Sequence, residues 1–299
     1  MKKFFHLAGW FLKARFLGRQ APLQTVLFIN DECDLACLHC NIHNKKNPRT
    51  KSYQTIREEL EYSHALGSRF VDFEGGEPFL WREGDRRFDD LVGLAREVGF
   101  YSATVTTNAQ RPFPGCKADS VWVSLDGLGG HHDRVRGRGA FERLVKNVET
   151  CGHPRVSANM VVNSLNYPSV AETIEFVAKN PFLKSISINF HTPFAGTEKL
   201  FLDWPARREV IDLVIGLKKK GRPVMNSVSG LKLMKGTEYV KRCWVTNFIM
   251  PDGTRLPECQ GRVSQVCDRC GFCMAGEMNS VFSFKPDTIL AGLGLRVGS

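Results

Sequence analysis

The chain has 299 residues, 42% hydrophobic and 24% charged, with ten cysteines and a net charge of +10. That length and apolar share suffice for a large core, and no low-complexity tract or internal repeat is present, so a disordered or solenoid chain is excluded. Lys2, Lys3, Lys13, Arg15 and Arg19 lie among the first nineteen residues without one acid, so the positive charge is too local for a nucleic-acid surface, and no nucleic-acid partner is expected.

Residues 1–22 open with "MKKFFHLAGWFLKARFLGR". Lys13 interrupts the apolar region and no small-residue cleavage site follows, which argues against a signal peptide. The stretch is also too short and too charged to span a bilayer. A helix here places Lys2, His6, Gly9 and Lys13 on one stripe and Phe4, Phe5, Leu7, Ala8, Trp10, Phe11, Leu12 and Leu17 on the remainder. Two packings are open. The apolar face can lie on an anionic membrane, giving a cytoplasmic protein peripheral at the inner face of the membrane, or it can pack on the protein's own core.

From residue 23 to about 230, short β-rich runs alternate with helical patterns. Strands are predicted at Thr25–Ile29, Arg69–Phe73, Tyr101–Thr106, Val121–Leu125, Val156–Val162 and Ser185–Phe190. Helices are predicted at Gln54–Leu66, Phe88–Val98, Ala140–Glu149, Ser169–Ala178 and Ala206–Lys219. Alternation predicts an α/β fold with a parallel sheet. Six strands are too few for a closed eight-fold barrel, so a partial (β/α)6 TIM-like barrel is expected, with its site at the carboxyl ends of the strands.

Residues 231–299 break the rhythm. Cys243, Cys259, Cys267, Cys270 and Cys273 fall here, in a small extension expected to be organised by metal rather than by a core. Tight cysteine groups in a long chain point to metal or redox chemistry, not to a disulfide framework. Cys116 and Cys151 lack partner spacing and read as buried free thiols.

The first group is "DECDLACLHCN", with Cys33, Cys37 and Cys40 as CxxxCxxC. Structural zinc wants four protein ligands, whereas three thiolates on a four-iron cluster leave one iron open, as catalysis requires. This motif after the first strand resembles the signature of radical S-adenosylmethionine (SAM) enzymes. "GGEP" at Gly75–Pro78, Asn108, "SLDG" at Ser124–Gly127 and "HHDRVRGRGAF" at His131–Phe141 follow in the family's order, so the resemblance covers roughly residues 23–225.

The resemblance implies a 4Fe–4S cluster on Cys33, Cys37 and Cys40, with SAM chelating the fourth iron. It implies an electron from a low-potential donor such as flavodoxin or ferredoxin, and a 5′-deoxyadenosyl radical that attacks the substrate. Gly75 and Gly76 would present carbonyls to the SAM ammonium, and Glu77 would add a charged contact. Asn108, Ser124, Asp126 and Asn159 would serve the ribose and the amino-acid moiety, and Arg136 the carboxylate. His39 stands where the family usually has an aromatic residue; imidazole is flat and could still pack on the adenine.

"CWVTNFIMPDGTRLPEC" resembles the cysteine element of SPASM and twitch extensions, and CxxCxxC matches a ferredoxin run. Five thiols can hold one auxiliary 4Fe–4S cluster, not two, and zinc is the alternative. For the substrate, a lipid or isoprenoid at the membrane surface is expected first, because the N-terminus is basic and amphipathic. The alternative is a ribosomal peptide. A reading of another class, a non-catalytic iron–sulfur or zinc scaffold, leaves the open iron without a purpose.

Overall fold

A computed structural model describes residues 1–43 and 46–297; Gly298 and Ser299, the last residues of the expected extension, lie outside the described residues. Six parallel strands run side by side in chain order: β1 (Gln24–Phe28), β2 (Phe70–Glu74), β3 (Ser102–Thr107), β4 (Ser120–Ser124), β5 (Val156–Val162) and β6 (Leu183–Phe190). Each lies within two residues of its predicted position. Val71, Phe73, Val105, Val121, Val123, Ile186 and Ile188 are fully buried, as strands of a covered parallel sheet require.

Helices α2 (Tyr53–Ala65), α3 (Phe88–Val98), α5 (Ala140–Thr150), α6 (Val170–Lys179) and α7 (Trp204–Lys219) alternate with the strands, and the short α4 (Gly130–Arg136) precedes α5. Ser52 caps α2 by accepting the Thr55 N–H, and Asp203 caps α7 by accepting the Ala206 N–H. Between β3 and β4 there is no helix among the described residues. The sheet does not close; it is an open, partial barrel.

The C-terminal segment departs from expectation. It is not organised by metal alone, because β7 (Thr246–Ile249) adds to the main sheet in parallel beside β1, and β8 (Arg255–Leu256) pairs antiparallel with β7. The final order is β8-β7-β1-β2-β3-β4-β5-β6. At the far edge the same segment docks on β6. The Phe190 N–H donates to the Gly271 carbonyl at 2.9 Å, and the Gly271 N–H donates to Thr192 Oγ1 at 2.9 Å. A Cβ on Gly271 would lie 1.8 Å from the Phe190 carbonyl oxygen, so only glycine permits this approach. The segment thus covers both edges of an open sheet that would otherwise offer unpaired backbone. It carries the short α9 (Gln260–Val263) and ends in α10 (Cys273–Phe282) and α11 (Pro286–Val297), which pack with α8 (Val228–Leu233).

Helix α1 (Lys2–Phe16) packs on the protein itself. Trp10 is buried, donates Nε1–H to the Ala21 carbonyl at 2.8 Å, and meets Trp244 and Phe282 at 5.8 and 5.9 Å between ring centroids. His6 sits against Phe70 and Tyr101 rather than on a solvent stripe. The other flank stays exposed, including Phe5, Leu12, Phe16 and Leu17. No described helix is long and apolar enough to cross a membrane.

Candidate active site

The chain leaving β1 crosses directly over the end of β2. The Gly76 N–H donates to the Asn30 carbonyl at 3.0 Å, and the Glu77 N–H to the Glu32 carbonyl at 2.7 Å. Fully buried Asn30 adds its amide, donating to the Glu77 carbonyl at 3.0 Å and accepting the Gly76 N–H at 3.1 Å. A Cβ on Gly75 would stand 2.1 Å from Asn30 Oδ1, and one on Gly76 only 2.0 Å from the Glu32 carbonyl oxygen. The paired glycines therefore let chain approach chain, and this anchors the start of the cysteine loop.

Each sulfur of that loop faces N–H donors. The Leu35 N–H points at Cys33 Sγ at 3.4 Å and the His43 N–H at Cys40 Sγ at 3.4 Å. Asn108 Nδ2 lies 3.5 Å from Cys33 Sγ, and Arg136 Nη1 3.8 Å from Cys37 Sγ. Burial pushes the Cys33 thiol up to about 12 and raises Cys37 as well. Donors aimed at sulfurs that resist ionisation suit thiolates charged by a bound cation, so the set fits an iron–sulfur cluster. Among the described residues no three His, Cys, Asp or Glu side chains converge on one point as around a single ion; a cubane, by contrast, spreads its ligands around separate irons.

Glu77 is nearly inaccessible. Its carboxylate accepts from Thr107 Oγ1 at 2.8 Å, the Asn108 N–H at 2.8 Å and the Phe79 N–H at 3.1 Å. Burial raises it to about 7 against these bonds. It therefore ties the end of β2 to the end of β3 and sets Asn108, whose Nδ2 also donates to Asp34 at 2.8 Å.

Asp126 and Arg136 form a second buried unit, Nε to Oδ2 at 2.7 Å. Asp126 also accepts the Val161 N–H at 2.8 Å, and its own N–H donates to His132 Nδ1 at 3.1 Å. Burial, the largest single influence, opposes the Asp126 charge, but Arg136 together with His39, the Val161 N–H and His132 holds the carboxyl below the usual range. His39 Nε2 lies 3.8 Å from Asp126 Oδ2; burial draws the imidazole down to about 4, so it is neutral. Its Nδ1 is buried with no hydrogen-bond partner. Ser124 and Asn159 stand opposite each other in the β4–β5 register. Asn159 Oδ1 accepts from Asn189 Nδ2 at 2.8 Å.

A cavity of about 830 Å³ is lined by His39, Asn159 and inward residues of the sheet strands. Sequence reasoning placed the site at the strand ends and assigned no role to the inward positions that line it: Asp72, Glu74, Thr104, Thr106, Trp122, Ser187 and Asn189. The signal was present, since polar residues recur at every second position of β2, β3 and β6. Glu74 is raised to about 8, chiefly by burial. The floor is apolar, with Leu7 and Phe11 of α1 and Ile289 and Leu293 of α11.

The C-terminal thiols are gathered but not equivalent. Cys243 and Cys259 share a thiol hydrogen bond that raises the first and lowers the second, while Cys267 and Cys270 lie within electrostatic range of Cys259. Cys273 starts α10 instead. Its N–H donates to Asn189 Oδ1 at 2.9 Å, its sulfur is 3.8 Å from Ser187 Oγ, and burial pushes it up to about 12.

The profile of the radical SAM superfamily matches residues 27–177, half of the chain. The chain belongs to the radical SAM superfamily. Members of this superfamily are enzymes, and the family implies a 4Fe–4S cluster and SAM. Mycofactocin maturase MftC of Mycolicibacterium smegmatis is 28% identical over 176 residues, 54% of this chain and 43% of that protein. GTP 3',8-cyclase of Synechococcus elongatus is 27% identical over 183 residues, 55% of this chain and 53% of that protein. The chain thus matches about half or less of these relatives' length. Among solved structures, Streptococcus suis SuiB bound to its precursor peptide SuiA superposes with a TM-score of 0.65 at 19% identity, over 97% of this chain and 67% of SuiB. Native anSMEcpe with bound AdoMet and Kp18Cys peptide gives 0.61 at 17%, over 89% of this chain and 81% of that one. At such identities the likeness is one of fold, and in SuiB it extends over the C-terminal segment as well.

Proposed function

We propose that this radical SAM enzyme modifies a peptide. The observation that carries the chemistry is the loop of Cys33, Cys37 and Cys40, anchored on Gly75–Glu77 with an N–H donor at each sulfur. The peptide is supported by the relatives' names, a maturase by sequence and two peptide-bound proteins by fold. The lipid or isoprenoid first expected has no such support.

When bound, cluster and SAM supply a 5′-deoxyadenosyl radical that takes a hydrogen atom from the substrate. The chain's own residues hold and shield it. Asn108 and Arg136 fix Cys33 and Cys37, neutral His39 lines the cavity, and the Asn159–Asn189 amides present polar groups to it. The apolar floor keeps the lower cavity dry, which protects a radical from side reactions. Cys243, Cys259, Cys267 and Cys270 would hold one auxiliary 4Fe–4S cluster, leaving Cys273 as the remaining thiol. A low-potential electron donor completes the system.

The test is anaerobic. Reconstituted protein is given SAM, dithionite and either the peptide fraction or the lipid extract of the source cells, and 5′-deoxyadenosine is quantified. Product that rises with peptide and is lost in Cys37→Ala supports the reading; stimulation by lipid alone overturns it. The exposed flank of α1 supports a second reading, peripheral contact with an anionic membrane, because Phe5, Leu12 and Phe16 stand among exposed Lys2, Lys13 and Arg15. Co-sedimentation with phosphatidylserine vesicles should be lost in Phe5→Glu/Leu12→Glu, which leaves packed Trp10 and Phe11 in place.

A further inference from the structure

Arg207, on α7, is a buried cation without an anion. Its side chain is 1% exposed, yet Nε, Nη1 and Nη2 all lack a hydrogen-bond partner. The guanidinium stacks 4.5 Å from the Phe190 ring centroid and 4.8 Å from that of Trp204. Aromatic faces offset part of the cost of burial. They cannot take five N–H donors, and an unpaired buried charge costs several kcal/mol.

One member of the auxiliary thiol group, Cys270, lies within electrostatic range of Arg207. The ring it stacks on belongs to Phe190, whose N–H is hydrogen-bonded to Gly271, the neighbour of Cys270. The titratable groups that act on it are Cys270 and Tyr239, and Tyr239 in turn lies in range of Cys243, Cys270 and Cys273. Arg207 does not belong to the lining of the large cavity, so a substrate there is not its partner.

We infer that Arg207 is the charge partner of the auxiliary 4Fe–4S cluster, donating its N–H groups to cluster or thiolate sulfur and favouring the reduced state. The inference rests on the auxiliary-cluster reading above. Four thiolates on a cubane leave the site net negative, and each added electron deepens that charge. A buried cation beside it stabilises the reduced form more than the oxidised one, through both charge and hydrogen bonds to sulfur. Arg207 is thereby a positioning and tuning residue, not one that touches substrate.

The test uses the full chain with Cys33, Cys37 and Cys40 replaced by Ala, so that only auxiliary iron remains. Iron and sulfide are counted after anaerobic reconstitution, and the midpoint potential is read by EPR-monitored titration. Arg207→Met should lower the reduction equilibrium constant at least tenfold, about 59 mV for one electron, while Arg207→Lys keeps most of the potential. Arg207→Gln, neutral but polar, carries the same expectation as Met where Met does not fold. In the parent, nitrogen-15 arginine should give the reduced cluster a nitrogen hyperfine coupling. A lower melting temperature with an unmoved potential means a structural role and overturns the inference, as does absence of the coupling. A parent that binds no iron overturns the auxiliary-cluster reading itself.

Discussion

Arg136 joins Asp126 to Cys37: its Nε lies 2.7 Å from Asp126 Oδ2, and its Nη1 3.8 Å from Cys37 Sγ. Both charged groups are buried, so removing one strands the other. Arg136→Met should cost about 3–5 kcal/mol of unfolding free energy and reduce iron bound by the three-cysteine loop. Asp126→Asn should cost less, because the amide still accepts the Val161 N–H. Urea titration and iron analysis of the two variants check the order; a negligible loss in Asp126→Asn beside the full loss in Arg136→Met would mean that Arg136 acts by packing alone.

Glu74 makes a pH prediction. Its carboxyl is raised to about 8 from an ordinary value of 4.5. A raised acid binds its proton more tightly in the folded state. Its stabilising contribution is therefore complete below pH 4.5 and is lost as pH climbs toward 8. Glu74→Gln keeps the neutral shape. Against wild type it should be equally stable at pH 4 and more stable by about 2 kcal/mol at pH 8, a figure reduced because Glu74 is only half-buried at the cavity wall. Thermal unfolding of the metal-free chain between these pH values gives the answer, and a difference constant with pH counts against the assignment.

The glycines supply a contrast. Gly76→Ala places a methyl 2.0 Å from the Glu32 backbone oxygen, where neither chain can retreat without breaking the Gly76–Asn30 and Glu77–Glu32 hydrogen bonds. A loss of about 2–3 kcal/mol and of cluster loading is expected. Gly93, in α3, has nothing within 4 Å of a built Cβ, and Gly93→Ala should stabilise by about 0.5–1 kcal/mol. Both variants destabilised alike would show that the crossing at Gly76 is softer than its geometry.

Much of this was legible beforehand, for physical reasons. Strands such as Ser102–Thr107, with four β-branched residues in succession, announce themselves, and CxxxCxxC announces its chemistry because three thiols at that spacing have few other uses. What was hidden depends on long-range pairing. Thr246–Ile249 is only four residues of ordinary composition, and nothing local says that it will pair with Gln24–Leu27. The role of Gly75 and Gly76 was half legible: glycine signals a close approach, but not whether to a ligand or to Asn30–Glu32. Arg207 was invisible, since an arginine in an amphipathic helix reads as surface until its neighbours Phe190 and Trp204 close over it.

The five C-terminal thiols finally divide by position. Cys243 shares a thiol hydrogen bond with Cys259, and Cys267 and Cys270 lie within electrostatic range of Cys259, whereas Cys273, in range of Cys270, begins α10 with its sulfur toward Ser187 on the β6 edge. A ligand must be able to swing onto the common centre, and Cys273 is held away by its N–H bond to Asn189 and by the close seat of Gly271 on Phe190. In the chain lacking the first three cysteines, Cys273→Ser should retain full auxiliary iron. Serine at position 243, 259, 267 or 270 should lose most of it or convert the EPR signal to that of an incomplete cluster. Full iron in Cys243→Ser together with loss in Cys273→Ser would reverse the partition and make Cys273 the fourth ligand.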